Sequence, residues 1–119
     1  MSVPNEGFNK FKKLKERIGS PGEGKVWHHI VEQSQIKNSG LSAREVHNVN
    51  NIIALPHGKD SVHEKISEYY SLIPSSGFTN GLTIRQWLKG KSFQQQFDFG
   101  MNILKLYGAV SETNNGWKI

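Results

Sequence analysis

The sequence predicts an α+β fold, a single mainly helical domain built around a short antiparallel hairpin and the helix that follows it. A length of 119 residues suits one domain and is too short for two independent cores. Two short aliphatic segments are separated by turn-forming residues, and most other apolar residues recur at helical spacing. We therefore divide the chain into a basic N-terminal helix and linker at 1–24, a core at 25–73 and C-terminal helices at 82–108.

The N-terminal segment has the pattern of a short amphipathic helix. Its apolar residues recur at steps of three and four among basic residues, and the segment 19–24 ends the pattern. The apolar positions are Phe8, Phe11, Leu14 and Ile18, and the basic ones are Lys10, Lys12, Lys13, Lys15 and Arg17. Such a helix could lie along phosphates, but charges opposite an apolar stripe are more often a solvated face. The sequence alone assigns this helix no function.

Two extended segments are expected next, at residues 26–31 and 52–55. Both are rich in β-branched or aliphatic residues, and the residues at 39–40 and 48–51 supply turn chemistry between them. Within that long connection, Ser42 and Glu45 have the spacing of a capping box, which predicts a brief helix. The two strands are expected to pair antiparallel.

A helix is expected to begin after Ser61, because Ser61 and Glu64 repeat the capping-box spacing. Its apolar stripe consists of Val62, Ile66, Tyr69 and Ile73. His63 then lies in the first turn, next to Ser67 on its face, and points away from that stripe. The helical geometry therefore directs His63 toward the end of the hairpin.

Two further helices are expected in the C-terminal part. Thr83 can cap a helix at residues 84–89, and Ser92 with Gln95 forms another capping box. The second helix is expected to bury an apolar stripe and to end at Gly108. That stripe consists of Phe93, Phe97, Met101, Leu104 and Leu106.

Composition limits the possible functions. The 15 Lys and Arg exceed the 10 Asp and Glu, and the resulting net charge of +5 favours a polyanionic partner. No apolar run approaches the roughly 20 residues that span a bilayer, so no membrane-spanning segment is expected. Without cysteine there are neither disulfides nor thiolate zinc ligands, so any metal must be held by nitrogen and oxygen.

All 5 histidines of the chain are crowded into the interval 28–63. Imidazole is the side chain that acts as a neutral metal ligand or, near neutral pH, as a proton acceptor. This crowding indicates a site rather than a random distribution over the surface. The histidines are His28, His29, His47, His57 and His63.

Three segments carry a resemblance to a known family. They are 27–33, which begins Trp27-His28-His29, then 51–56, which begins with Asn51, and 63–67, which begins with His63. Together they resemble the HNH or endonuclease VII-type ββα-metal (His-Me finger) nucleases. The similarity is to the branch with a Trp-His-His motif, which occurs as C-terminal domains of bacterial polymorphic toxins. Residues 82–107 are similar, with less specificity, to the segment on the C-terminal side of that motif in such toxins.

The resemblance implies roles for four residues. His28 corresponds to a metal ligand and His29 to the general base, and His63 corresponds to a second ligand from the helix. Neighbouring strand residues point to opposite faces, which agrees with separate roles for the two adjacent histidines. Asn51 corresponds to the central asparagine, whose side chain orients the base or touches the metal.

The resemblance leaves the full ligand set open. Many members carry a further histidine four residues after the second ligand, whereas this chain has Ser67 there. His57 from the preceding loop, or a water, is a candidate for the missing ligand. The cofactor is expected to be one divalent ion, Mg²⁺, Mn²⁺, Zn²⁺ or Ni²⁺, because imidazole and oxygen ligands suit all four.

The same resemblance implies the partners and the setting. Nucleic acid is the expected substrate, with DNA favoured over RNA, and four candidate phosphate contacts are Lys25, Lys59, Lys65 and Arg85. A toxin domain would be secreted as part of a larger bacterial protein, would act in the cytoplasm of the target cell and would require a cognate immunity protein. The charge of +5 suggests that this inhibitor is acidic.

Other functions remain open at this point. An RNase toxin would use the same site. A non-catalytic nucleic-acid-binding module would hold a structural zinc, but such sites are closed by four protein ligands, and the chain lacks cysteine and well-spaced third and fourth histidines. A third alternative is a histidine cluster that only responds to pH and binds no metal.

Overall fold

A short antiparallel hairpin organises the chain in the computed structural model, which describes residues 6–113 and 116–118. Strand β1 (Lys25–His29) pairs with β2 (Ile52–Pro56), so that Val26 lies opposite Leu55 and His28 opposite Ile53. The first strand ends two residues earlier than predicted. The reason is that both backbone polar groups of Val31 are bound by a side chain instead of a partner strand.

The connection between the two strands is largely helical. It contains α2 (Ser34–Ser39), α3 (Ala43–Val46) and a 3₁₀ turn (Val49–Asn51). The capping box predicted for α3 is present. Helix α2 was not predicted, because its one buried residue is the polar Gln35 and it has no apolar stripe.

Helix α4 (Val62–Tyr70) follows the hairpin and packs against β2. The Ser61 hydroxyl accepts the backbone N–H of Glu64, as predicted, but the Glu64 carboxylate accepts from Asp60 N–H, so only half of the capping box forms. The helix ends at Tyr70. Ile73 therefore lies beyond it and is 57% exposed, and the prediction that it extends the apolar stripe was wrong.

Helices α5 (Ile84–Leu88) and α6 (Phe93–Leu106) both begin with capping boxes. The box at Ser92 was predicted, whereas at Thr83 only the cap was predicted. Helix α6 crosses directly over the end of β1, since a Cβ on Gly100 would come within 2.7 Å of the Ile30 carbonyl oxygen. Glycine allows this close approach. Leu106 is 75% exposed, so its assignment to the buried stripe was wrong.

Helix α1 (Phe11–Ile18) buries Leu14, and strands β3 (Ser111–Thr113) and β4 (Gly116–Lys118) form an unpredicted hairpin. The described residues make one α+β domain with more helix than strand. None of the helices that the structure describes is long and apolar enough to cross a bilayer. The main core consists of Ile30, Ile53, Leu55, Ile66, Tyr70, Ile84, Leu88, Met101, Ile103, Leu104 and Val110.

Candidate functional site

His28 and His63 lie side by side where β1 meets the first turn of α4. Their ring centroids are 5.5 Å apart and the rings are nearly perpendicular, at 83°. Two imidazoles that share one tetrahedral ion have ring centres about 5 Å apart, because metal–nitrogen bonds are about 2 Å long. The pair therefore fits two nitrogen ligands of a single ion, one supplied by the hairpin and one by the helix.

Both of these rings are held in the neutral form. Burial, followed by the neighbouring His63, lowers the pKa of His28 to about 4. Burial, followed by the charge of His57, also lowers the pKa of His63. Neutral imidazole has a lone pair for a metal, so the free site is ready to bind a cation at neutral pH.

The two histidines line a small cleft of about 170 Å³. The cleft is open to solvent and combines imidazole, carboxylate, amide and hydroxyl groups with the apolar side chains of Trp27 and Ile66. Ser67, in the position of the missing third histidine, lies on its wall. The lining residues are Trp27, His28, His29, Glu32, Gln33, His63, Ile66 and Ser67.

His29 faces away from the His28–His63 pair into a closed environment. It is 7% exposed, and its Nε2 lies 3.2 Å from Nδ1 of His47, within hydrogen-bond distance. The edge of its ring packs against Phe11, with centroids 4.5 Å apart. Burial, then His47 and His28, lowers the pKa of His29 to about 3. His29 is therefore a neutral imidazole that borders the cleft and has one nitrogen bonded to His47.

Asn51 is fully buried and holds the turn that follows His29. Its side-chain oxygen accepts Val31 N–H, and its amide donates to the carbonyls of Val31 and Val46. The backbone carbonyl of Asn51 also accepts Ile30 N–H. Both amide hydrogens are thus used by the backbone. The prediction was that this side chain orients the base or touches the metal. In the structure it bonds to the backbone of Val31, two residues after His29, and of Val46, and its hydrogen bonds do not reach the His29 ring itself.

Arg85 was expected to contact phosphate, but the structure commits its guanidinium to a neighbouring carboxylate. Its Nε and Nη2 bind the two Glu32 oxygens at 2.8 and 2.6 Å, and its Nη1 donates to Ser71 Oγ. The hydrogen bonds to Glu32 raise the pKa of Arg85. The pair lies at the edge of the cleft, so Arg85 fixes and neutralises the Glu32 carboxylate beside His28.

The remaining predicted residues lie on the surface. His57 is exposed and borders a second, shallower cleft that it shares with His63. Among the described residues, no three His, Asp or Glu side chains converge as a metal-binding group, so His57 is not brought into a three-ligand set with the pair. Lys25, Lys59 and Lys65 are all exposed.

Sequence reasoning missed two residues of this site, His47 and Phe11. The sequence assigned no role to His47, yet it is 6% exposed, ends α3 and contacts both His29 and Phe11. The only available signal was the apolar periodicity of the N-terminal segment, which directs Phe11 inward without identifying its partner.

No protein-family model, no curated protein and no solved structure matches this chain. The chemistry of the cleft must therefore be argued from its own residues.

Proposed function

We propose that this protein is a metal-dependent endonuclease that hydrolyses phosphodiester bonds, with DNA favoured over RNA as substrate. The observation that carries the proposal is the adjacency of His28 and His63 at the end of the hairpin, with His29 on the border of the same cleft. Phosphodiester hydrolysis needs charge neutralisation and a proton acceptor within one site. The net charge of +5 suits a polyanionic substrate.

In this proposal His28 and His63 hold one divalent ion, so that β1, β2 and α4 form a ββα-metal finger. Two imidazoles leave coordination positions for water, for substrate oxygens and for the Ser67 hydroxyl at the wall of the cleft. When bound, the ion supplies Lewis-acid stabilisation of charge on the phosphate and on the leaving oxygen. Mg²⁺, Mn²⁺, Zn²⁺ and Ni²⁺ are all compatible with such a mixed nitrogen and oxygen set.

His29 is the proposed general base. When its Nε2–H donates to Nδ1 of His47, its own Nδ1 carries the free lone pair that accepts a proton from water. Burial keeps the ring neutral in the free protein. The divalent ion would disfavour protonation of this ring, and the negative charge of a bound phosphate would offset part of that effect.

The other groups of the site position these three histidines. Asn51 fixes the backbone that follows His29, and His47 fixes the orientation of its ring. Arg85 holds Glu32 against the cleft. None of them needs to touch the substrate for the site to work.

The test is a cleavage assay with plasmid, single-stranded DNA and total RNA in one buffer, with Mg²⁺, Mn²⁺ or Zn²⁺. We expect degradation of DNA that a chelator stops and added metal restores. Degradation of RNA alone would assign the RNase alternative. Cleavage that is insensitive to chelation, or no cleavage of any substrate with any metal, would contradict the proposal.

A non-catalytic, zinc-stabilised nucleic-acid-binding module is the second candidate, because the His29 ring is only 7% exposed. In that case the ion would contribute folding energy, and a chelator would unfold the protein. A catalytic ion at an open site contributes mainly to activity. Thermal melting with and without chelator separates the two functions.

The toxin setting rests on the Trp-His-His resemblance alone. In that setting the domain belongs to a larger secreted bacterial protein, acts in the cytoplasm of the target cell and is blocked by an acidic cognate immunity protein. Expression of the domain in a bacterium should then be toxic, and co-expression of the neighbouring gene product should restore growth. Toxicity without such protection would count against the immunity partner.

A further inference from the structure

The charges of helix α1 are divided into two flanks. At 100° per residue, Lys12 and Lys15 lie on the flank that adjoins Phe11, whereas Lys13 and Arg17 lie on the opposite one. Leu14 and Ile18 form the face between the flanks that packs on the protein, with Leu14 fully buried. The helix therefore presents two separate pairs of basic side chains.

Only one flank has its charge compensated. Lys13 pairs with Glu16 at 3.6 Å, and Arg17 binds the Glu6 carboxylate through two nitrogens at 2.8 and 3.1 Å. Within residues 6–111, neither Lys12 nor Lys15 has a carboxylate within ion-pair distance. The uncompensated positive charge of α1 is thus concentrated on the Phe11 flank.

That flank is anchored to the candidate catalytic histidine. The Phe11 ring packs on His29 with centroids 4.5 Å apart, and the Lys15 ammonium lies over the same Phe11 ring, 4.7 Å from its centre. At the end of the helix, Trp27 Nε1–H donates to the Gly19 carbonyl at 2.8 Å. The contact with Phe11 therefore keeps the Lys15 ammonium one ring away from His29. Most surface lysine side chains lack such a contact and move freely.

We infer that Lys12 and Lys15 bind phosphates of the substrate that neighbour the phosphate in the cleft. The inference rests on the proposed nuclease function and names the surface along which the substrate continues. A protein that reads only the backbone gains its affinity from phosphate contacts. Arg85 is already bound to Glu32 at the wall of the cleft, so α1 supplies positive charge that is free to bind phosphate.

The experiment compares two double variants of the full chain with the same net charge. Lys12→Gln with Lys15→Gln removes the Phe11 flank, and Lys13→Gln with Arg17→Gln removes the compensated flank. Binding to a fluorescein-labelled DNA duplex is measured by anisotropy in EDTA, so that no cleavage occurs, over a series of salt concentrations. Thermal melting verifies that both variants are folded.

We expect the Phe11-flank variant to bind on the order of 10-fold more weakly at low salt, because each lost phosphate contact removes about 0.9 from the slope of log affinity against log salt. The control variant should keep most of the affinity and the slope. A Lys15→Arg variant should bind like the wild type, since arginine keeps both the charge and the contact with Phe11.

Three outcomes would overturn the inference. Equal weakening by both double variants would show that net charge alone acts, and no weakening by the Phe11-flank variant would show that the strand runs elsewhere. In both cases wild-type cleavage would leave the nuclease proposal intact. Wild-type protein that neither binds DNA in EDTA nor cleaves it with metal would overturn both.

Discussion

His28 and His29 are neighbours on one strand, and their surroundings differ completely. His28 lies beside His63 in an open cleft, whereas His29 lies between His47 and Phe11 and is 7% exposed. Strand geometry sends consecutive side chains to opposite faces, so adjacent residues separate an open cleft from a buried, hydrogen-bonded environment. The difference shows that two adjacent residues of the same type can receive different chemical surroundings from the fold.

The largest expected effect comes from exchanging these two residues for alanine in turn. His29→Ala should lower the cleavage rate by about 10²- to 10⁴-fold, the usual contribution of a general base, and leave metal affinity nearly unchanged. His28→Ala should instead abolish tight metal binding. Cleavage rates and calorimetric metal titrations distinguish the two. Equal loss of metal affinity in both variants would remove the division of roles.

The same comparison predicts a loss of stability in acid. The pKa values of His28 and His29 are about 4 and about 3 in the folded protein and 6.5 when unperturbed, so below pH 6.5 the unfolded chain binds more protons. Stability is complete above pH 6.5 and falls as the pH drops toward 4, by about 1.4 kcal/mol per pH unit for each histidine.

Urea denaturation at pH 7 and at pH 5 measures this effect. We expect the free energy of unfolding to fall by about 4 kcal/mol between the two values if both histidines contribute. A His29→Gln variant should show about half of that dependence, because one titrating group is gone. A wild-type stability that does not change with pH would mean that burial does not lower the pKa of either histidine in the folded protein.

Asn51 tests whether the buried environment of His29 depends on the hydrogen bonds between this side chain and the backbone. Asn51→Ala leaves the polar groups of Val31 and the carbonyl of Val46 without their buried partner. At about 1–3 kcal/mol for each unsatisfied group after relaxation, we expect a loss of about 3 kcal/mol in denaturant unfolding. A control, Asn50→Ala, changes an exposed neighbour and should lose much less. Similar losses of stability in both variants would show that the Asn51 hydrogen bonds do not stabilise the protein.

The positions of His28 and His63 were predictable from the sequence, whereas the partners of His29 were not. The placement of His28 follows from strand alternation, and that of His63 follows from the Ser61 cap that starts α4, both of which are local signals. The partners of His29 and Arg85 lie 18 and 53 residues away in sequence. Such contacts come from packing, which no local pattern encodes.

The helices show the same difference between local sequence signals and tertiary contacts. Helices α3, α5 and α6 begin at the predicted caps Ser42, Thr83 and Ser92, because a cap is recognised from residues close together in sequence. Helix α2 has no apolar stripe, and its buried Gln35 bonds to the Arg85 carbonyl. Tertiary contacts and not local propensity therefore hold α2 in place.

The smallest expected effect concerns the carboxylate at the edge of the open cleft. In Arg85→Gln, Glu32 loses the cation that neutralises it, and its negative charge acts on the cleft that His28 and His63 line. An added charge at this partly exposed position is worth about 1 kcal/mol, so metal should bind roughly fivefold more tightly while stability falls by a similar amount. Calorimetry with Glu32→Gln/Arg85→Gln as the matched neutral control isolates the effect of the charge. Unchanged metal affinity in Arg85→Gln would place the ion away from Glu32 and therefore away from the wall of the cleft where His28 and His63 meet.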